Sequence, residues 1–168
     1  GSLSYGLPAV AAESVPSAAI ELESEHGAAA LGRPAPDFTL YAADGSPVAL
    51  SSLRGHKVIL VFGRTDCPHC LSKIPLLNRL ESAEKGTVIF IALGTAPAAV
   101  PGFQQDYQIA FQVLADPTRR IGSVYGIRAV PEVFLVDAEG IILYAGPKQG
   151  PYIWKYLADS SRVGNLPD

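Results

Sequence analysis

"KVILVFGRTDCPHC", residues 57–70, decides the fold. From Val58 to Phe62 every side chain is apolar, which suits a strand buried on both faces of a sheet. Four residues beyond Gly63 come Cys67 and Cys70, the only two cysteines of the chain. They open a segment, residues 67–84, in which Leu71, Ile74, Leu77 and Leu80 recur at roughly helical spacing before Gly86. The spacing predicts a single helix bent at Pro75, because proline lacks the N–H that the helix needs. A buried strand running into a helix, with both cysteines at the junction, is the feature from which the rest is read.

Outward from that junction the elements alternate. "TVIFIALG", residues 87–94, is a second buried strand. A Pro- and Ala-rich loop leads to a helix over residues 102–107. "FQVLAD" is a short strand, and "PTRRIGSVYG" opens on proline and closes on glycine as helices do. "EVFLVD", the turn "AEG" and "IILYAG" form a hairpin. "PYIWKYLADSSRV" is a last helix that offers Ile153, Trp154 and Leu157 to the core. Upstream, two short strands flank "AADGS", whose Asp44–Gly45 pair signals a hairpin. The expected fold class is α/β: a central mixed sheet flanked by helices, with an N-terminal β-hairpin extension. Residues 1–32, rich in Ala, Ser, Glu and Pro, read as a flexible lead-in or tether, and residues 33–168 as the domain.

Bulk composition narrows the function. The chain has 168 residues, of which 48% are hydrophobic, enough for one domain with a sizeable core. A net charge of -3 carries no basic stripe, so no nucleic-acid partner is expected. No apolar run approaches the ~20 residues of a spanning helix. Gly1–Ser2 in place of an initial methionine reads as a cleavage scar, so a signal peptide or anchor is expected to have been removed.

A bridge from Cys67 to Cys70 closes too short a loop to be a useful staple. At a helix start, backbone N–H groups and the helix dipole favour a thiolate, so the Cys67 pKa is expected below the ordinary value. Cys70, three residues on, brings its sulfur within reach while sitting inside the helix. The expected division is that Cys67, exposed, attacks a partner disulfide and Cys70, sheltered, resolves the mixed disulfide. His69 is expected to add to the thiolate's stability, which makes the disulfide the stronger oxidant. Asp66 opposes this by like charge, Arg64 offsets it, and Asp66 is also read as the helix N-cap.

The stretches "RPAPDFTL", "LSSLRGHKVILVFG" and "CPHC", Pro75 in the following helix, and "YGIRAVPEVFLVDAEGII" resemble the thioredoxin superfamily. They are most similar to its TlpA/ResA/CcmG-like extracytoplasmic thiol–disulfide oxidoreductases, over about residues 33–160. The Pro68–His69 dipeptide is the one found in DsbA. The resemblance implies a thioredoxin-like fold and catalysis by Cys67 and Cys70. It implies modulation by Pro68, His69, Asp66 and Arg64, and a cis Pro131 facing the cysteines, with the Val130 backbone offered to substrate. No cofactor is implied. The implied partners are protein thiols or disulfides and a membrane redox partner. The implied location is extracytoplasmic: periplasmic, or tethered and facing the periplasm. Two departures stand out. Relatives carry an acidic or polar residue six positions before the first cysteine, where this chain has Val61, and tryptophan just before it, where this chain has Asp66. Either the resolving thiol's proton then leaves through water or a nearby carboxylate, or exchange is slower in one direction.

Two other readings compete. Metal (copper) delivery or zinc binding would use Cys67, Cys70 and His69, but only His26 and His56 remain as further histidines and the chain has no methionine. A peroxidase of the same fold would need P-x-x-x-T-x-x-C. Those positions hold Leu60 and Arg64 before Cys67, and Gly63 and Cys67 before Cys70.

Overall fold

The computed structural model describes residues 28–146 and 151–163. The predicted lead-in up to residue 27, His26 included, lies outside the described residues. The packed chain reaches back to Ala29 and Ala30, both buried, and the Gly32 N–H donates to the Ile142 carbonyl at 2.8 Å.

Seven strands form one sheet: β1 (Thr39–Tyr41), β2 (Pro47–Ala49), β3 (Val58–Gly63), β4 (Val88–Leu93), β5 (Gln112–Asp116), β6 (Glu132–Val136) and β7 (Ile142–Gly146). Their order is β2-β1-β5-β4-β3-β6-β7. β3, β4 and β5 run parallel, and β6 lies antiparallel to β3, so the sheet is mixed as expected. β3 and β4 are buried at every position, as their unbroken apolar runs require. In the β1–β2 hairpin the Asp44 carboxylate accepts from both the N–H and the hydroxyl of Ser46, while Gly45 takes φ +86.

The helices are α1 (Pro68–Leu71), α2 (Ile74–Ala83), α3 (Val100–Asp106), α4 (Arg120–Val124) and α5 (Pro151–Val163). The single bent helix expected over residues 67–84 is two helices. Pro75 has no N–H for the Leu71 carbonyl, and its ring crowds that carbonyl. The chain instead tightens: the Lys73 N–H bonds to the Cys70 carbonyl, and regular helix resumes with the Leu77 N–H on the Lys73 carbonyl. α4 is also shorter than "PTRRIGSVYG" predicts. Arg119, at φ +63, precedes it, and Pro117 lies outside.

Two apolar clusters sandwich the sheet. On one face Ile59, Val61, Phe90, Val113, Val133 and Leu135 meet Leu77 and Leu80 of α2 and Ile153, Trp154 and Leu157 of α5. Each such fully buried Leu contributes roughly 1.5–3 kcal/mol. Both cysteines belong to this cluster. On the other face Leu60, Phe62, Ile91, Leu114, Phe134 and Tyr125 pack with Phe38 and Leu40. No helix of the described residues is long and apolar enough to cross a membrane.

Candidate active site

β3 delivers the chain to the end of the sheet, where residues 64–66 turn it into α1. Cys67 is the N-cap of that helix, with φ -97 and ψ 117, and Pro68 occupies the first turn, where a missing N–H costs nothing. Cys70 lies one turn further and is 1% exposed, against 7% for Cys67. Cys67 is therefore more enclosed than expected, because its side chain joins the apolar cluster beneath it.

The two thiols are hydrogen-bonded to each other and differ in acidity. Burial pushes the Cys67 thiol up. The Cys70 thiol, the backbone N–H groups of Cys70 and His69, and the Arg64 charge together outweigh burial and hold it below its ordinary value. For Cys70 burial dominates, and the adjacent Cys67 adds to it. The backbone N–H and charge of Arg64 offset this only in part, and the thiol is pushed up to about 12. The two sulfurs therefore differ in acidity, with Cys67 the more acidic.

The donors differ in part from those expected. α1 is only four residues long, so the local N–H groups at its start replace a long helix's dipole as the source of stabilisation. His69 contributes its backbone N–H to Cys67, and its ring is exposed. Asp66 is not the N-cap. It lies one residue before it and accepts from Arg64 Nε at 3.1 Å, with the two side chains 80% and 42% exposed. Pro68 is exposed at the helix start.

Gly63 is a site residue that the sequence reading passed over. A Cβ there would lie 2.6 Å from Phe90 Cζ and 3.1 Å from Cys70 Sγ. The bare backbone makes room for the buried sulfur. The available signal was a glycine at the end of an otherwise branched and aromatic strand, which often marks a close approach.

The Val130–Pro131 bond is cis. The register Phe62↔Glu132 places Pro131 beside the end of β3, the strand that leads to Cys67. Val130 packs against both apolar clusters, including the one that holds the cysteines. Val61 is fully buried on the cysteine face. Glu132, next to Pro131, is 6% exposed and by strand alternation lies on the other face with Phe134. Among the described residues no group of three His, Cys, Asp or Glu side chains is placed to hold a metal ion. His56 is exposed in the turn before β3, at the opposite end of the sheet from Cys67.

Comparison with known proteins agrees with this geometry. The AhpC/TSA family matches residues 31–145. Thiol-disulfide oxidoreductase ResA of Bacillus thuringiensis is 31% identical over 116 residues, 67% of this chain and 67% of that protein. A thioredoxin-family thiol:disulfide interchange protein from Chlorobium tepidum superposes with a TM-score of 0.64 at 26% identity, covering 79% of this chain and 97% of that one. The exposed lipoprotein thioredoxin Etrx1 of Streptococcus pneumoniae gives 0.56 at 26% identity, covering 74% and 99%. The fold, the paired thiols and these relatives converge: the chain belongs to the AhpC/TSA family, and it is a thiol–disulfide oxidoreductase of thioredoxin-like fold.

Proposed function

We propose that Cys67 is the attacking nucleophile and Cys70 the resolving thiol in exchange with protein substrates. The observation that carries this is the asymmetry of the pair. Cys67 sits at a helix start with its pKa lowered, and Cys70 is buried with its own pushed up to about 12. When the enzyme acts as reductant, the Cys67 thiolate attacks one sulfur of a partner disulfide. An S–S bond forms to Cys67 and the partner's other sulfur leaves as a thiolate. Cys70 then loses its proton to solvent and attacks the Cys67 sulfur, which breaks the mixed disulfide and releases the partner's remaining sulfur as a thiolate. The partner gains two electrons in all, and the enzyme is left with the Cys67–Cys70 disulfide. The reverse sequence oxidises a partner dithiol.

The substrate strand lies along Val130 and Pro131, whose position beside the end of β3 supports this docking. Arg64, Asp66, Pro68 and His69 tune the thiols through the ion pair, the helix start and the backbone donor described above. The protein works outside the cytoplasm, periplasmic or tethered to the membrane, and exchanges electrons with a membrane redox partner. The exposed lipoprotein among its structural relatives and the Ala/Ser/Pro-rich lead-in support that setting. Cys70→Ser is expected to hold a disulfide-linked adduct with a disulfide-containing reporter protein on a non-reducing gel, and Cys67→Ser none. Equal adducts from both variants would overturn the assignment.

A further inference from the structure

The end of the sheet that carries Cys67 is also a cationic end of the molecule. The C-terminal ends of β3, β4 and β5 lie side by side there, through the pairs Gly63↔Ala92 and Ala92↔Ala115, and β6 starts beside them. Arg64 leaves β3 at this end, Arg119 and Arg120 follow β5, and Arg128 precedes β6. Arg119, Arg120 and Arg128 are exposed, and among the described residues none has an ion-pair partner. Among the described residues Asp66 is the exposed carboxylate next to Cys67, and Arg64 already holds it. Asp116 and Glu132, at the same end, are 1% and 6% exposed. The exposed carboxylates Asp44 and Glu139 lie in turns at the other end.

Arg119 is held in place. It takes φ +63, the left-handed region that non-glycine residues rarely adopt and that recurs at functional sites. Its guanidinium lies over Gly94, with Nε 3.1 Å from where a Cβ would stand. Gly94 has just left β4, the strand between β5 and β3, so the charge stands at the same end of the sheet as the segment leading to Cys67.

We propose that this arginine rim docks acidic polypeptide: a partner protein whose reacting cysteine is flanked by Asp or Glu. The inference rests on Cys67 as the attacking thiol. A bare Cys67 thiolate would repel such a segment, and among the described residues the unpaired charges at this end that favour it are Arg119, Arg120 and Arg128. The rim raises the local concentration of the acidic segment, and the exchange then runs as above, with two electrons passing to the partner disulfide.

The test uses the reduced protein and three peptides, each with its cysteine disulfide-linked to 2-mercaptoethanol and flanked by Asp, Ser or Lys pairs. Rates are read as ratios to the Ser peptide in the same protein, which cancels changes in intrinsic thiol reactivity. At roughly 20 mM salt the Asp peptide is expected to react about tenfold faster than the Lys peptide, and at roughly 500 mM the difference should largely vanish. The double variant R119E/R128E is expected to reverse the order. Equal ratios in the unaltered protein, or an unchanged order in the variant, overturn the rim. A protein unreactive toward all three peptides overturns the Cys67 assignment itself and this inference with it.

Discussion

Replacing Gly63 by alanine adds one methyl group at the tightest point of the site. Its Cβ would stand 2.6 and 3.0 Å from Phe90 Cζ and Cε2 and 3.1 Å from Cys70 Sγ, where ordinary contact begins at 3.4 Å. Backbone strain is no part of the cost, since Gly63 is not among the residues of positive φ. Relief must come from movement. The Phe90 ring is 1% exposed and wedged between Phe103 and Phe111, at centroid distances of 5.9 and 6.1 Å, and Cys70 is fixed by α1. Overpacking of this kind costs about 1–3 kcal/mol. For a chain of this size that lowers Tm by roughly 2–12 °C. Guanidinium unfolding of the reduced protein measures the loss. Gly102→Ala is the matched control, because its Cβ meets nothing within 4 Å on the exposed side of α3, and it is expected to stabilise by about 0.5–1 kcal/mol. A Gly63→Ala protein within ~0.5 kcal/mol of the parent, the range of an ordinary surface change, would refute the claim that this glycine makes room for the sulfur.

His69→Ala keeps the backbone N–H that reaches Cys67, so a thiolate absorbance titration should find the Cys67 pKa nearly unmoved. His69→Pro removes that N–H and should raise the pKa by about one unit, equivalent to roughly 30 mV toward a more reducing couple. An equal rise in both variants would return the effect to the imidazole. The reduced protein should lose stability as pH rises from about 9 toward about 12. Over that window an unfolded chain releases the Cys70 proton and the folded chain retains it, because burial holds the folded pKa near 12. The slope approaches ~1.4 kcal/mol per pH unit. Denaturant midpoints of reduced parent and Cys70→Ser over that range check it, and parallel curves would count against the buried thiol. Iodoacetamide at neutral pH should modify Cys67 alone, read by peptide mass; comparable labelling of Cys70 would contradict its enclosure.

The parts legible in the sequence were those written in consecutive residues. The apolar runs at 58–62 and 88–93 are strands buried on both faces because no polar side chain interrupts them. The Asp44–Gly45 turn and the CPHC junction were legible for the same local reason. The order of the strands and the antiparallel seat of β6 beside β3 depend on partners about seventy residues apart in the chain. The break before α2 was half legible: Pro75 announced a defect, but whether the helix bends or divides depends on the carbonyl it crowds and on the packing that follows. The site divides likewise. Spacing identified the two cysteines and a resemblance identified Pro131. That backbone N–H groups at a helix start act on Cys67 was legible there, but which residues supply them was not, because a backbone N–H has no letter of its own; they are those of Cys70 and His69, whose side chain is exposed. Room for Cys70 is made by a glycine on another element, against a phenylalanine from a third. Burial and donor count set the difference in acidity between two chemically identical thiols, and only the assembled fold fixes both.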